Sequence, residues 1–313
     1  MKFEKIKDQE ELLELGLDPE IIKYPATVNK IMRDGVKATA NGKSFYLHKI
    51  LKSNLDKLKD GVLKKWDGVV LLDGMEGSGK TGLSAGASFY LSDGKLSLND
   101  VLYTPKQVEE WIDTAEPLSV GIIDEFALMG LNSDYMGKIQ KTIIKRLTIM
   151  RSKQLIIFIV LPYLFMLSKY FAIGRTRFLL HSYSPNGRER GFFKFYSYNE
   201  KKNLFLRGKT NWDYNVQKPA FTGFHLDNLN GRFWNPEDYE ARKQKFTKEA
   251  LEEQDKDTMR DATVKAVLHL NKIGLRCKTC EKKTKYTHKE IGYLFGYSQQ
   301  HITRLIKVDS SIS

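Results

Sequence analysis

Val69-Val70-Leu71-Leu72-Asp73-Gly74-Met75-Glu76-Gly77-Ser78-Gly79-Lys80-Thr81 is the stretch that decides the fold. Its first four residues are apolar without alternation, which suits a short parallel strand buried on both faces. Gly74, Gly77 and Gly79 then break the chain, and a helix-compatible run from Lys80 to Leu91 follows. Strand, glycine turn and helix in this order make the first part of a βαβ unit.

Outward from that stretch the same pattern continues. Val101–Thr104 reads as a strand, Pro105–Thr114 as a helix opened by proline, and Val120–Asp124 as a third strand. A long helix over Ser133–Lys153, a strand over Leu155–Leu161, a helix near Tyr163–Ile173 and a strand over Phe178–Tyr183 complete the series. The alternation predicts an α/β domain whose mostly parallel sheet is covered on both faces. After it, Gly191–Tyr198 and Asn203–Arg207 read as an antiparallel hairpin turning at Asn199–Lys202, and residues 208–235 as irregular. Before it, helices are expected over Asp8–Leu15 and Leu47–Lys65, with a hairpin over Val36–Tyr46 turning at Asn41-Gly42. The resulting division is an N-terminal extension (1–66), the α/β domain (67–240), a charged exposed helix or linker (241–260) and a small C-terminal domain (261–313).

Gly74-x-x-x-x-Gly79-Lys80-Thr81 fits G-x-x-x-x-G-K-[ST] at every position. Gly74, Gly77 and Gly79 let consecutive amides of the loop, Ser78 included, curl around a phosphate. The helix that starts at Lys80, Thr81 and Gly82 points its N-terminus at the same anion. Lys80 would reach the β- and γ-phosphates of ATP, and Thr81 would offer its hydroxyl to Mg2+. Leu118-Ser-Val-Gly-Ile-Ile-Asp124-Glu125 supplies an acidic strand end. Asp124 would hold the Mg2+ through a water, and Glu125 would orient and deprotonate the attacking water. The segment between loop and acid has room for an extra strand. The expected fold class is therefore a P-loop NTPase of the additional-strand, catalytic-Glu type, and the expected reaction is hydrolysis.

The order of these motifs resembles the DNA-pumping ATPases of viruses and mobile elements, in the FtsK/HerA-like and zonula-occludens-toxin-like group. It comprises the phosphate loop, Ile122-Ile-Asp-Glu125, a helix ending Arg146-Leu-Thr-Ile-Met-Arg151, the strand Leu155–Leu161, Pro162–Lys169, Gly174-Arg175-Thr-Arg177 and a strand ending His181-Ser-Tyr183. The resemblance covers about residues 68–207. It implies a ring-like homo-oligomer acting on duplex DNA, an assembly partner encoded by the same virus or element, and an arginine donated across a subunit boundary. Arg151 and Arg175, at element ends, lead the arginine candidates, ahead of Arg146 and Arg177. One departure stands out: the strand after the acidic one ends Val160-Leu161-Pro162, where many such motors carry a polar sensor.

In the long helix, Ile139, Ile143, Leu147 and Met150 share one face, while Lys138, Lys141 and Lys145 line another. That second face reads either as a solvated surface or as one turned toward DNA or a neighbouring subunit.

Thr287–Leu305 resembles a helix-turn-helix. Thr287 and Glu290 form a capping box, Ile291, Leu294 and Phe295 an apolar side, and Gly296 allows the left-handed turn. Ser298 caps a second helix with Ile302, Leu305 and Ile306 inward. Gln299, Gln300, Thr303 and Arg304 are left outward, where glutamine and arginine can read base edges in a major groove. A helix near Asp261–Lys272 would complete a small all-α domain, in which ten lysines and arginines face four acids. Cys277-x-x-Cys280 offers half of a tetrahedral zinc site, to be completed by His288, His269 or a second chain. The alternative is two reduced cysteines in a basic loop.

The net charge of +13 favours a polyanion, nucleic acid before an anionic membrane surface. Two cysteines are too few for a disulfide framework and suit a reducing compartment. Met1–Glu20 lacks the apolar core of a leader, and the apolar run Leu155–Leu167 is too short to span a bilayer. The expectation is a cytoplasmic protein, inside the host cell or associated with a virion if the element is viral, without a membrane span.

Overall fold

A computed structural model describes residues 1–124, 133–185, 190–226, 233–273, 275–276, 283–284 and 286–310. The chain divides into two units, Met1–Thr247 and Lys248–Ser313. The first opens with β1 (Lys2–Glu4), α1 (Gln9–Glu14), α2 (Pro25–Asp34), β2 (Gly35–Ala40), β3 (Lys43–His48) and α3 (Lys49–Leu63). β1, β2 and β3 form an antiparallel sheet. Its tight turn, Asn41-Gly42, carries φ of 49° and 72°. Both values lie in the left-handed region that two-residue hairpins need.

The α/β series follows as β4 (Val69–Gly74), α4 (Lys80–Leu91), β5 (Val101–Leu102), α5 (Pro105–Thr114), β6 (Val120–Ile123), α6 (Ser133–Lys153), β7 (Ile156–Leu161), α7 (Lys169–Gly174) and β8 (Leu179–Tyr183). β9 (Phe192–Tyr196), α8 (Tyr198–Gly208), β10 (Phe221–Phe224) and α9 (Pro236–Ile273) come next. One seven-stranded sheet runs in the order β10-β9-β8-β4-β7-β6-β5. β8, β4, β7, β6 and β5 are parallel, whereas β9 and β10 pair antiparallel at one edge. This is an α/β fold with a mixed, largely parallel sheet.

Every residue of β4, β6 and β7 is buried, which explains their uninterrupted apolar runs. α4 is buried from Gly82 to Leu91. Gly82, Ser84, Ala85, Gly86, Ala87 and Ser88 keep its girth small, so the helix can pack closely against β6, β7 and β4. In α6, Ile143 and Met150 are buried while Lys141 and Lys145 are exposed. The N-terminal helices are not a loose appendage: Leu12, Val28, Ile31 and Tyr46 share an apolar cluster with Phe224 and Leu226, just beyond β9 in the sheet.

Two sequence expectations are corrected. Asn203–Arg207 is not a returning strand. It lies in α8, which a capping box starts, with Ser197 N–H donating to Glu200 Oε2 at 2.8 Å. Leu204 and Phe205 face inward at adjacent helical positions. The antiparallel partners of β9 are β8 and β10, the latter within a stretch expected to be irregular. The helix expected near Tyr163–Ile173 is split into a 3-10 turn, Leu164–Met166, and α7.

In the second unit α9 runs on to Ile273 and is followed by β11 (Leu275–Arg276), β12 (Lys283–Thr284), α10 (His288–Phe295) and α11 (Gln299–Ser310). Val267, Ile291 and Ile302 are its buried centre, with Leu270, Phe295 and Ile306 packed around them. No helix among the described residues is long and apolar enough to cross a membrane.

Leu72 is fully buried in β4. Leu72→Ala should lower the stability of the chain by about 2–5 kcal/mol, read as a reduced urea midpoint at unchanged slope.

Candidate functional site

The carboxyl ends of β4, β6 and β8 meet at one edge of the sheet. From β4 the chain passes through α4 to β5 at the far edge, whereas β8 lies on β4's other side. Such a reversal leaves a crevice above β4, where open α/β sheets bind ligands. The Gly74–Thr81 loop occupies it. Gly74, Gly77 and Gly79 have φ of 140°, 73° and 95°, all in the region that side chains rarely tolerate. Gly74 has a second reason to be glycine, since a Cβ there would sit 2.0 Å from the carbonyl oxygen of Ser182.

The loop is held from below and closed from above. Ser182 Oγ donates to Ser78 O at 2.8 Å, and Ser78 Oγ, itself buried, donates to Met75 O at 2.7 Å. The Lys80 ammonium donates to Gly74 O at 2.7 Å and Met75 O at 2.9 Å, so it lies over the loop's mouth. Gly79 caps α4 without a side-chain bond, and Gly82 is buried in the first turn. The site joins a positive side chain to the N-terminus of a buried helix, a combination that receives anions.

Asp124, fully buried, extends β6 by one residue, its N–H donating to Leu102 O at 3.0 Å. Thr81 Oγ1 donates toward its two carboxylate oxygens at 3.3 and 3.4 Å. The hydroxyl and carboxylate expected to share a metal therefore face each other, 43 residues apart in sequence. A third group was not foreseen: Tyr239, from the start of α9, donates its hydroxyl to Asp124 Oδ2. Burial, and then the Asp124 carboxylate, hold that phenol well above its usual range, so it stays a donor. Nothing in the local sequence of Tyr239 signals this role.

A second carboxylate braces the crevice. Asp73, fully buried, accepts from Leu164 N at 2.9 Å, from Tyr214 Oη, and pairs with His181 Nδ1 at 2.8 Å. It ties the end of β4 to the chain leaving β7 and to β8.

His225 closes the far side of the loop. A Cβ on Gly79 would lie 2.9 Å from its Cε1 and 3.2 Å from its Nε2, so that edge of the ring faces the loop. The imidazole is buried, and neither ring nitrogen has a hydrogen-bond partner among the described residues. Burial pushes its pKa down to about 4, leaving the ring neutral. Arg190, exposed, comes within 3.9 Å of a Cβ built on Gly77. Both residues follow β8 in the chain, beyond the reach of the loop's own motif.

The arginine candidates are elsewhere. Arg151 Nε donates to Asp67 Oδ1 at 2.6 Å, and Arg175 NH1 stands 3.5 Å from Asp67 Oδ2. Asp67 precedes β4, so both lie at the opposite edge of the sheet, about 20 Å from the loop given the rise per strand residue. Within one subunit they do not meet Lys80. Arg146 pairs with Glu109 and Asp113, and Arg177 stacks over Trp66 at 4.6 Å. Glu125 lies outside the described residues.

In the second unit, Thr287 and Glu290 form the expected capping box, and Gly296 has φ of 68°. Gln299, Gln300 and Arg304 are exposed on α11. Thr303 is half-buried, donating to Gln299 O and bonded to His288 Nδ1, each at 2.9 Å. Of the expected apolar side, Ile291 is buried and Phe295 packs against it, whereas Leu294 is 59% exposed. Cys277 and Cys280 lie outside the described residues, among which no cluster of three or more His, Cys, Asp or Glu is placed to hold a metal.

No known protein-family model matches the chain, and no characterised protein matches it significantly.

The buried imidazole makes a pH-dependent prediction. Below the unfolded pKa of 6.5 the unfolded chain takes up a proton that the folded ring refuses until about pH 4. Stability present above pH 6.5 is thus lost as pH falls toward 4, by up to about 3 kcal/mol per such imidazole. His225→Leu should flatten that part of the acid decline in denaturant titrations, while equalling or exceeding the parent's stability at pH 7. An unchanged pH profile would remove His225 as its source.

Proposed function

We propose that the chain is a P-loop ATPase that moves or packages duplex DNA, with ATP and Mg2+ held at the Gly74–Thr81 loop. The single observation that carries this reading is the meeting of Thr81 with Asp124 beside a glycine loop mouthed by Lys80. ATP and Mg2+ suit these residues. The donor set is a curled run of amides, one ammonium and a hydroxyl–carboxylate pair, and the close contacts at Gly74 and Gly79 leave backbone, not side chains, facing the ligand. The position of β7 between β4 and β6 supports the additional-strand class of such enzymes.

On this reading Lys80 turns from its two carbonyls to the β- and γ-phosphates, and the loop amides orient the triphosphate. Thr81 and Asp124 hold Mg2+, which when bound neutralises charge between the phosphates. Tyr239 fixes the rotamer of Asp124 through its hydroxyl. Glu125 readies the attacking water. Arg151 or Arg175, distant from Lys80 in their own subunit, would serve a neighbour's site in a ring-like homo-oligomer. The second unit would hold DNA through the exposed Gln299, Gln300 and Arg304, with Thr303 positioned beside them.

A second reading is an ATP-switched DNA-binding regulator or initiator, favoured by the exposed glutamines and arginine at the start of α11. The two differ in kinetics. A motor's ATPase rate rises strongly with long duplex DNA of any sequence, and it displaces a bound roadblock only when ATP is present. A switch hydrolyses slowly and prefers one site.

Lys80→Ala should abolish retention of ATP in the presence of Mg2+ while leaving the far-ultraviolet spectrum unchanged. Retention by that variant, or failure of the parent protein to bind any nucleoside triphosphate, would end the ATPase reading. Arg304→Ala should weaken duplex binding by about 1–3 kcal/mol, measured by fluorescence anisotropy at fixed salt. An unchanged affinity moves the DNA contact off α11.

A further inference from the structure

The first unit carries a second concavity, at the N-terminal edge of its parallel strands and away from the glycine loop. It is a cavity of about 400 Å3 whose walls include Lys57, Trp66, Arg177, Phe178, Phe195 and Tyr198. α3 supplies Lys57, the approach to β4 supplies Trp66, and the start of β8 is preceded by Arg177 and Phe178.

Charge in this region is out of balance. The half-buried Arg177 guanidinium lies over the Trp66 ring at 4.6 Å and has no carboxylate partner among the described residues. Asp67, whose charge also acts on Arg177, is directly paired with Arg151 at 2.6 Å and with Arg175 at 3.5 Å. Behind Tyr198, whose ring lies 5.3 Å away, stands the Lys201 ammonium. Lys201 is fully buried and donates to Thr176 O at 2.6 Å and Thr176 Oγ1 at 2.5 Å, a carbonyl and a hydroxyl with no anion between them. Its burial and the neighbouring Arg177 push it down to about 7. Lys57 adds a third cation at the rim, exposed to solvent. The half-buried Arg177 guanidinium keeps its charge beside Lys201, and an anion entering the cavity offsets the cost of holding that charge there.

The walls narrow the choice of anion. Trp66 is 57% exposed and Tyr198 45% exposed, so both rings are accessible from the cavity. Flat rings of this kind stack on aromatic ligands, and the planar guanidinium over Trp66 matches phosphate oxygens. We infer that this cavity binds a nucleoside phosphate unit, its phosphate on Arg177 and Lys57 and its base against Trp66 or Tyr198. The unit is either a free mononucleotide or one nucleotide of a nucleic-acid strand. The inference rests on this cavity and does not depend on the glycine loop binding ATP.

The test uses the full chain carrying Lys80→Ala, so that the glycine loop contributes no nucleotide binding. The probes are 5-bromodeoxyuridine monophosphate and a short oligodeoxythymidylate containing the same base. After irradiation, adducts are mapped by mass spectrometry, and affinities are measured by titration. Adducts on Trp66 or Tyr198 are expected. Affinity should fall about tenfold in Arg177→Gln and also in Lys57→Glu, the latter at an exposed position that leaves packing intact, with melting temperatures checked for both. A strand that binds more tightly than the monophosphate, by a margin that Arg177→Gln removes, assigns the site to nucleic acid, and equal affinities assign it to free nucleotide. Adducts confined to residues outside this cavity, or affinities unmoved by both substitutions, overturn the inference. So does a site that takes an acidic peptide and neither nucleotide probe.

Discussion

Everything at the carboxyl edge of the sheet depends on how closely the backbone of Gly74 approaches Ser182. A Cβ at that point would lie 2.0 Å from a carbonyl oxygen of β8. The constraint brings β4 and β8 together through to their ends and turns the chain sharply into the loop. Beneath it, Asp73 gathers a backbone amide, a phenol and an imidazole from three different segments. Buried carboxylates are tolerated only when satisfied in this way. The loop is thus curled by glycine and fixed in place by the strands below it.

The two ends of the parallel strands carry different chemistry. At the carboxyl end, backbone amides, Lys80, Thr81 and Asp124 converge, with acids buried and matched to donors. At the amino end, arginines crowd around one carboxylate, Asp67, and aromatic rings stand beside cations that have no directly paired acid among the described residues. One α/β sheet therefore presents a balanced site on one edge and an electropositive one on the other. A sheet built mostly of parallel strands makes this separation natural, because each parallel strand contributes its start to one edge and its end to the other.

Much of this was legible in the sequence, for identifiable reasons. α4, α5 and α6 begin and end where residue patterns place them, because proline, caps and small residues set their limits locally. β4, β6 and β7 announce themselves as apolar runs since both faces are covered. The glycine loop is legible because its backbone demands are met by residue type alone. By contrast, Asn203–Arg207 carries apolar residues that suit strand or helix, and only the Ser197–Glu200 capping box separates the two. Tyr239, His225, Tyr214 and Asp73 reach the crevice from positions far apart in the chain. Their roles come from tertiary contact, which a local reading of a single sequence does not contain. Arg151 and Arg175, candidates for a neighbouring subunit's site, lie at element ends that the sheet turns away from their own Lys80.

The crevice also dictates where the loop can be altered. Ser78 is buried, Gly74 and Gly79 have no space for a side chain, and α4 is enclosed from Gly82 onward. Met75 points the other way, 71% exposed, and takes part in the loop only through its main-chain oxygen. It is therefore the natural attachment point for a spectroscopic label. With Cys277 and Cys280 replaced, a single thiol there would report on the surroundings of the loop without entering the cradle.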